Sequence, residues 1–403
     1  MSRTWFARVV GRSKIRRSLV ALSGHHLLNS LAASLLSLYL PIYFYTHFHY
    51  SLRLVVLFYV AGHVLYAALI PLGARFFSRF GMRTSLIAST PFLVAYYFLP
   101  IFLSEAPLLI ALLLLVVEVL FRLLFWIPFH TDFALLSDRD SRGRELALYH
   151  SIASLLIAFG PLVGALIISR GGFPILYAIV MLISVASVVP LLSLKAQNEK
   201  YSWGYRTTYR NVFSQKNWRL TLGYASRGAE GFIGGVIWPL FFYDLLSGRI
   251  IDMGAWASLI VLVSMAMQLV VGHFLDFYPK LKLLKTQSYF TAIGWFLMSF
   301  VNSIGQLFAV STYRNVSGSL TDLSFQAFFY EHAADSGHYI DEYTALQEIA
   351  SHVGRAVIGI ALIASFGWFG LQATFVVAAL MTLLVTVVGE QNLGRRVVYA
   401  IRT

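Results

Sequence analysis

Apolar runs of about twenty residues, each closed by a short polar and basic stretch, follow one another from the first tenth of the chain to the last. A bilayer core of roughly 30 Å is crossed by about 20 helical residues, so each run is predicted to be one membrane-spanning helix. Twelve segments qualify, from a first centred near Ser34 to a last centred near Val377. The runs are continuous, whereas the strands of an outer-membrane barrel alternate apolar and polar residues over roughly ten positions. Only helices and closed barrels satisfy their backbone polar groups inside lipid. The pattern therefore predicts an all-α membrane protein with twelve transmembrane helices.

Composition agrees and removes the alternatives. Of 403 residues, 58% are apolar and 12% charged, and mean hydropathy is +0.71. Soluble domains carry about 25% charged residues, and disordered chains are apolar-poor, so neither class fits. There is no cysteine, which excludes a disulfide framework and a thiolate metal centre. The basic, then apolar, beginning resembles a signal peptide. However, the uncharged run from Ser18 to Leu52 far exceeds the roughly 7–15 residues of a cleavable apolar region, and it is read as a retained first span.

The net charge of +13 is read as topology rather than as a nucleic-acid surface, because basic residues collect on cytoplasmic loops. Nearly all Lys and Arg outside the spans fall at the two ends and on alternate loops. Only Arg53, Arg170 and Arg249 lie on the opposite side. Both termini are thus expected in the cytoplasm, in a plasma or bacterial inner membrane. The longest linker, around Lys195–Arg219, is basic and rich in Tyr and Trp, as is the N-terminal stretch with Trp5, Phe6, Val9 and Val10 on one helical face. Both are expected to anchor at the inner leaflet.

The sequence also repeats itself about half a chain apart. Leu40-Pro41-Ile42-Tyr43-Phe44-Tyr45 ends the first span and Trp238-Pro239-Leu240-Phe241-Phe242-Tyr243 the seventh. Ile152-Ala153-Ser154 follows Glu145 into the fifth, as Ile349-Ala350-Ser351 follows Glu342 into the eleventh. Thr131-Asp132 and Thr321-Asp322 match in the fourth and tenth. The expected organisation is two pseudo-symmetric six-helix bundles: residues 1–198 with an interfacial N-terminal segment, a cytoplasmic linker at 199–218, and residues 219–403.

Over essentially its whole length this chain resembles the major facilitator superfamily. That family's loop after the second span reads roughly Gly-x-x-x-Asp-Arg-x-Gly-Arg-Lys/Arg. Here Ala74, Ser78, Arg79 and Arg83 hold the corresponding places in the first half, and Gly272 and Asp276 in the second, so the first copy lacks the Gly and the Asp. Gly160-Pro161-Leu162-Val163-Gly164-Ala165 is similar to the core of the family's antiporter motif, with Leu156 where a further Gly is expected. The resemblance implies the major facilitator fold, halves built from nested repeats, and gating roles for Ser78, Arg79, Arg83, Asp132, Asp276, Gly160, Pro161 and Gly164. It also implies that spans one, four, seven and ten line a central cavity.

The intramembrane charges bear on chemistry. Spans three, six, nine and twelve carry no Asp, Glu, Lys or Arg, while Glu118, Arg122, Arg227, Glu230, Arg314, Asp322, Glu348, His352 and Arg355 fall inside the others. A charge at the bilayer centre costs at least about 2.5–3.5 kcal/mol, so these side chains must face protein or a wet cavity. Glu118 and Arg122 are four apart, Arg227 and Glu230 three, and Glu348, His352 and Arg355 four and then three, each set on one helical face. Every basic residue within a span is Arg, which keeps its charge when buried and forks onto carboxylates or phosphates. Asp132 and Asp322, near the cytoplasmic ends of their spans, are expected to meet loop backbone or loop arginines. Glu348, His352 and Arg355 have an alternative role in holding span eleven against span ten. His25, His26, His63, His150 and His273 are read as structural. His47 and His49 alone do not complete a metal shell, and no phosphate-binding Gly loop is present.

The expectation is a non-enzymatic, monomeric secondary transporter. It would move a small, amphipathic or anionic solute by alternating access, with no cofactor, with protons as coupling ion and, on the antiporter-like segment, by export. Glu118 and Glu230 are the first candidates for the proton carrier. A uniporter or symporter, or a sensor or lipid-handling protein that kept the fold, are the alternatives.

Overall fold

The computed structural model describes residues 14–136, 142–194, 201–275, 280–335, 340–366 and 368–387. Within these, side chains are not described for 14–19, 131–136, 142–157, 269–275, 280–281, 323, 326–335 and 340–341. The interfacial N-terminal segment and the start of the linker thus lie outside the described residues. Every regular element among those described is helical. Six helices are long and apolar enough to cross a membrane, and a bent pair, Val20–Leu36 and Leu40–His47 at 42°, makes a seventh. The other expected spans are broken, carry polar and charged residues, or, at Ala373–Val387, form a shorter apolar helix. The segment around Ile233, for example, consists of Trp218–Phe232, a π-helical turn at Ile233–Ile237 and Trp238–Leu245. A π-turn widens the helix by one residue and recurs at functional positions.

The chain divides into two compact units. The first takes in residues up to Ser37 and Leu69–Ser202. It contains α1 (Lys14–Leu36), the later part of α3 (Leu52–Phe80), α4 (Met82–Phe98), α5 (Pro107–Leu136) and α6 (Arg142–Ala186). At 45 residues α6 is too long for one crossing. It breaks at Gly172, whose φ of +72° is open to glycine and strained for other residues, so the expected fifth and sixth spans meet there. The helices α1 and α6 cross at Gly160, where a Cβ would come within 2.4 Å of Ser34 Oγ. The antiporter-like glycine therefore has a packing reason. On α5, Leu108, Leu112 and Val116 are exposed while Leu114, Leu115, Glu118 and Val119 are buried. The polar group points inward and the apolar ones outward, as lipid requires.

The second unit takes in Leu38–Ala68 and Trp203 onwards. It contains α2 (Leu40–His47), most of α3, α7 (Tyr205–Val212), α8 (Trp218–Phe232), α9 (Trp238–Leu245), α10 (Ile250–Leu275), α11 (Lys280–Met298), α12 (Ile304–Asp335), α13 (Ile340–Ser365) and α14 (Ala373–Leu384). The placing of Leu38–Ala68 here differs from a plain division at the linker. On α7, Tyr205 and Tyr209 donate to the carbonyls of Ala67 and Ala68 at 2.7–2.9 Å. Along α8 and α13 the backbones touch. A Cβ on Gly228 would lie 2.0 Å from Ser351 O, and one on Gly354 1.9 Å from Ala225 O. Small residues allow such approach where lipid supplies no hydrophobic drive to association.

Candidate functional site

In the first unit, Arg122 donates to Glu118 at 2.5 Å along α5. Glu118 is 4% exposed. It lies eleven residues into α5, or roughly 16 Å at 1.5 Å per residue, near mid-membrane. The charge-assisted bond partly offsets the cost of burying each ion. The i,i+4 pair read from the sequence is therefore formed. A second polar group sits on α1: His25 Nδ1 donates to Ser187 O at 2.7 Å, and its Nε2 accepts from Asn29 Nδ2 at 3.1 Å. A carbonyl only accepts and an amide nitrogen only donates, so this arrangement puts the His25 proton on Nδ1. Phe125 and Phe129 pack on His25 and His26.

Of the expected gating residues in this unit, Ser78 Oγ accepts from the Tyr201 backbone N–H at 3.1 Å, and Arg79 lies over the Phe80 ring. Arg83 is in the first turn of α4. Pro161 lies inside α6, and Gly164 is buried on it. The side chain of Asp132, and Asp276 altogether, lie outside the described residues.

The second unit gathers residues far apart in sequence. Arg227 on α8 bonds both Glu230, three residues on, and Asp322 on α12. Asp322 is therefore held by an arginine of another helix, not by loop backbone or a loop arginine. The expectation missed this because α8 and α12 are separated by most of the half. Trp295 Nε1 on α11 donates to the other oxygen of Glu230 at 2.8 Å. Trp295→Phe is expected to cost about 1.5–3 kcal/mol, the usual value of a hydrogen bond to a charged group, read as a lowered unfolding temperature; an unchanged one contradicts the bond.

Arg314 is bound differently. Its guanidinium stacks at 4.2 Å from the Trp295 ring centre and 5.6 Å from that of Trp238, within reach of cation–π attraction. One terminal nitrogen donates to Asn315 Oδ1 at 2.8 Å. Among the described residues, its Nε and the indole nitrogen of Trp238 are buried donors with no hydrogen-bond acceptor. A Cβ on Gly234, in the π-turn, would lie 3.5 Å from the Trp295 ring and 3.7 Å from an Arg314 terminal nitrogen. Buried orphan donors are costly, and two together at the π-turn make an arrangement suited to an anion.

On α13, Glu348 and His352 meet side chains of α3, and Arg355 lies against His352. His352 Nδ1 lies 3.0 Å from His63 Nδ1, and Tyr66 OH donates to Glu348 Oε2 at 3.0 Å. His63, read as an ordinary structural residue, belongs to the same buried group. The i,i+3 spacing of His63 and Tyr66 on one face was a signal available in the sequence. Nothing local connects Trp295 to Glu230 or Trp238 to Arg314. An apolar recess lined by Val263, Met267, Phe290, Phe308, Val316 and Leu320 touches none of these groups and carries no charge.

Three comparisons place the chain. No curated protein sequence matches it significantly. Among solved structures it is similar to the crystal structure of the human organic anion transporter MFSD10 (TETRAN). The TM-score is 0.71 at 13% identity, covering 93% of this chain and 99% of that one, a likeness of fold. The profile of the Major Facilitator Superfamily matches residues 22–336. A multi-pass helical chain with buried ion pairs, matched over most of its length by that profile, is a member of the Major Facilitator Superfamily.

Proposed function

We propose that this chain is a proton-coupled secondary transporter that exports a small organic anion. On this reading it crosses the membrane twelve times, in two six-helix halves that alternate access, with both termini cytoplasmic. Family membership gives the transport class and a small-molecule substrate. The observation that carries the substrate class is Arg314, stacked on two indoles, with its Nε and the Trp238 N–H lacking an acceptor among the described residues. An organic anion with an apolar body satisfies both donors and tolerates the aromatic wall. The similar solved structure is described as an organic anion transporter, which points the same way. Coupling is assigned to Glu118, whose ion pair with Arg122 lies deep in α5. A carboxylate that trades its arginine for a proton can link proton movement to a change of state.

The test uses purified protein in proteoliposomes with an imposed pH gradient. The membrane-impermeant probe is 2-naphthalenesulfonate, with the neutral sulfonamide as control. Gradient-driven movement of the sulfonate, not the sulfonamide, is expected. Glu118→Gln should lower it at least tenfold while leaving exchange at equal pH within about twofold, since Gln keeps the shape and cannot titrate. Arg314→Gln should weaken half-saturation at least tenfold, the loss of one charge-assisted contact. Equal handling of sulfonate and sulfonamide removes the anion assignment, and full gradient-driven flux by Glu118→Gln removes Glu118 from the coupling.

A further inference from the structure

The apolar recess between α10, α11 and α12 has no part in the reading above. Its volume is about 420 Å³, and Val263, Met267, Phe290, Phe308, Val316 and Leu320 form most of its wall. Along α12 it runs from Phe308 to Leu320, or roughly 18 Å at 1.5 Å per residue. One leaflet is half of a bilayer core of roughly 30 Å, so about 15 Å deep. The recess is long enough for a hydrocarbon chain that reaches from the membrane surface to the midplane. Met267 and Phe290 on its wall are nearly half exposed, so it opens on the outside of the unit, where a membrane-spanning helix meets lipid.

The two ends of the recess differ in chemistry. Thr291 Oγ1 on α11 lies 3.1 Å from Thr321 Oγ1 on α12, and a Cβ on Gly294 would meet Arg314, so the two helices run antiparallel side by side. Gln287, one turn before Thr291, therefore falls at the Leu320 end, where it lines the recess and is 7% exposed. Lys285 and Lys282 stand two and five residues nearer the start of α11, roughly 3 and 7.5 Å further out. That helix holds three lysines and no Asp or Glu. Lys282 is exposed and lies on the same helical row as Phe290, two steps of four away. At the other end, residues 304–313 of α12 carry no charge. From one end to the other the order is apolar wall, amide, then positive charge.

A phospholipid has its parts in that order: acyl chain, ester carbonyl, phosphate. We propose that the recess binds one anionic phospholipid of the leaflet on the lysine side. One acyl chain lies along α12 from Leu320 towards Phe308, the Gln287 amide N–H donates to the ester carbonyl, and Lys282 and Lys285 hold the headgroup. Lysine suits this position, because its stem lies along apolar surface while the ammonium reaches out to the interface. Met267 is unbranched and adapts to the shape of a flexible chain. A sterol or a neutral lipid leaves both ammonium groups unused. Each lysine near an anionic lipid strengthens binding about fivefold, so the pair favours an anionic over a zwitterionic lipid roughly 25-fold. The site is built by α10, α11 and α12 alone and does not rest on the transport reading.

The experiment is native mass spectrometry of the full chain released from detergent micelles. It is titrated separately with palmitoyl-oleoyl phosphatidylglycerol, with the matching phosphatidylcholine and with cholesterol. Phosphatidylglycerol should bind as one tight copy, roughly 25-fold more strongly than phosphatidylcholine. Lys282→Gln combined with Lys285→Gln should bring the two within about threefold of each other. Gln287→Leu should weaken both phospholipids by about two- to tenfold, the net value of one hydrogen bond. Ala309→Trp fills the far end of the recess, which Ala309 lines, and should weaken phosphatidylglycerol at least about tenfold by excluding the chain. Should that variant not fold, Phe290→Ala at a half-exposed position removes part of the wall and should weaken it at least about fivefold. Cholesterol as the single tight copy, equal binding of the two phospholipids, or the lack of any tight copy overturns the proposal. So does a tight copy that survives the folded Ala309→Trp variant or, in its place, Phe290→Ala.

Discussion

Arg227→Gln is expected to destabilise the protein by about 3 kcal/mol, the low end of the roughly 3–5 kcal/mol seen when one partner of a buried ion pair is removed. The arginine holds two carboxylates, Glu230 and Asp322, from two helices. Glu230 is 5% exposed and keeps only the Trp295 indole when the guanidinium is gone. The Asp322 side chain is 41% exposed, so water compensates its loss, and the figure stays at the low end. Arg227→Lys should recover less than half, because one ammonium does not fork onto two carboxylates in the geometry of a guanidinium. Combining Arg227→Gln with Glu230→Gln and Asp322→Asn should recover most of the loss, since the unpaired charges leave together. Thermal unfolding in nanodiscs reads all three. A triple variant no better than the single one would mean that the network is not what Arg227 stabilises.

Gly354→Ala is expected to be as damaging, through backbone rather than charge. Its Cβ would sit 1.9 Å from the carbonyl oxygen of Ala225, and one on Gly228 would sit 2.0 Å from that of Ser351. In each case the obstacle is main chain and does not rotate aside, so α8 and α13 must separate. Overpacking a tight core costs about 1–3 kcal/mol and occasionally more; these positions belong at the upper end. The separation also pulls α13 from its register beside Glu230 and Arg227. The double substitution should cost less than the sum of the singles, because once the helices part both methyl groups fit. Gly231→Ala, on the same helix but with open space at its Cα, is the control and should change stability by less than about 1 kcal/mol. Equal effects at all three positions would show that helix propensity, not contact, is being measured.

Local periodicity made part of this protein legible in advance. Glu118 and Arg122 are one turn apart, and their pairing follows from helix geometry alone. The same holds for Arg227 with Glu230. Helical class and membrane location followed from run length, because a bilayer imposes its thickness on the chain. What stayed hidden depends on which helix lies beside which. Trp295 is 65 residues from Glu230, and His352 is 289 from His63, so no spacing rule reaches them. Asp322 was assigned a loop partner because its depth was counted along its own helix, and depth does not reveal a neighbour. Arg314 was legible as an intramembrane cation but not as one that lies against indoles, since aromatics are abundant along the whole chain. The bend after Leu36 and the π-turn at Ile233 were also unannounced. Both interrupt apolar runs in which the side chains, read as a pattern, show no break.

The membership of Leu38–Ala68 in the unit that otherwise begins at Trp203 has a consequence for how the protein is made. Synthesis proceeds at roughly 5–20 residues per second, so the 289 residues between His63 and His352 separate the birth of the two rings by about 15–60 s. For that time an imidazole and the Tyr66 phenol sit in a newly inserted segment whose partners do not yet exist. The first helical hairpin of the chain is thus among the last to reach its final neighbours, and substitutions at His63 or Tyr66 should reveal themselves as slow or incomplete maturation at the insertion machinery before they show in the finished protein.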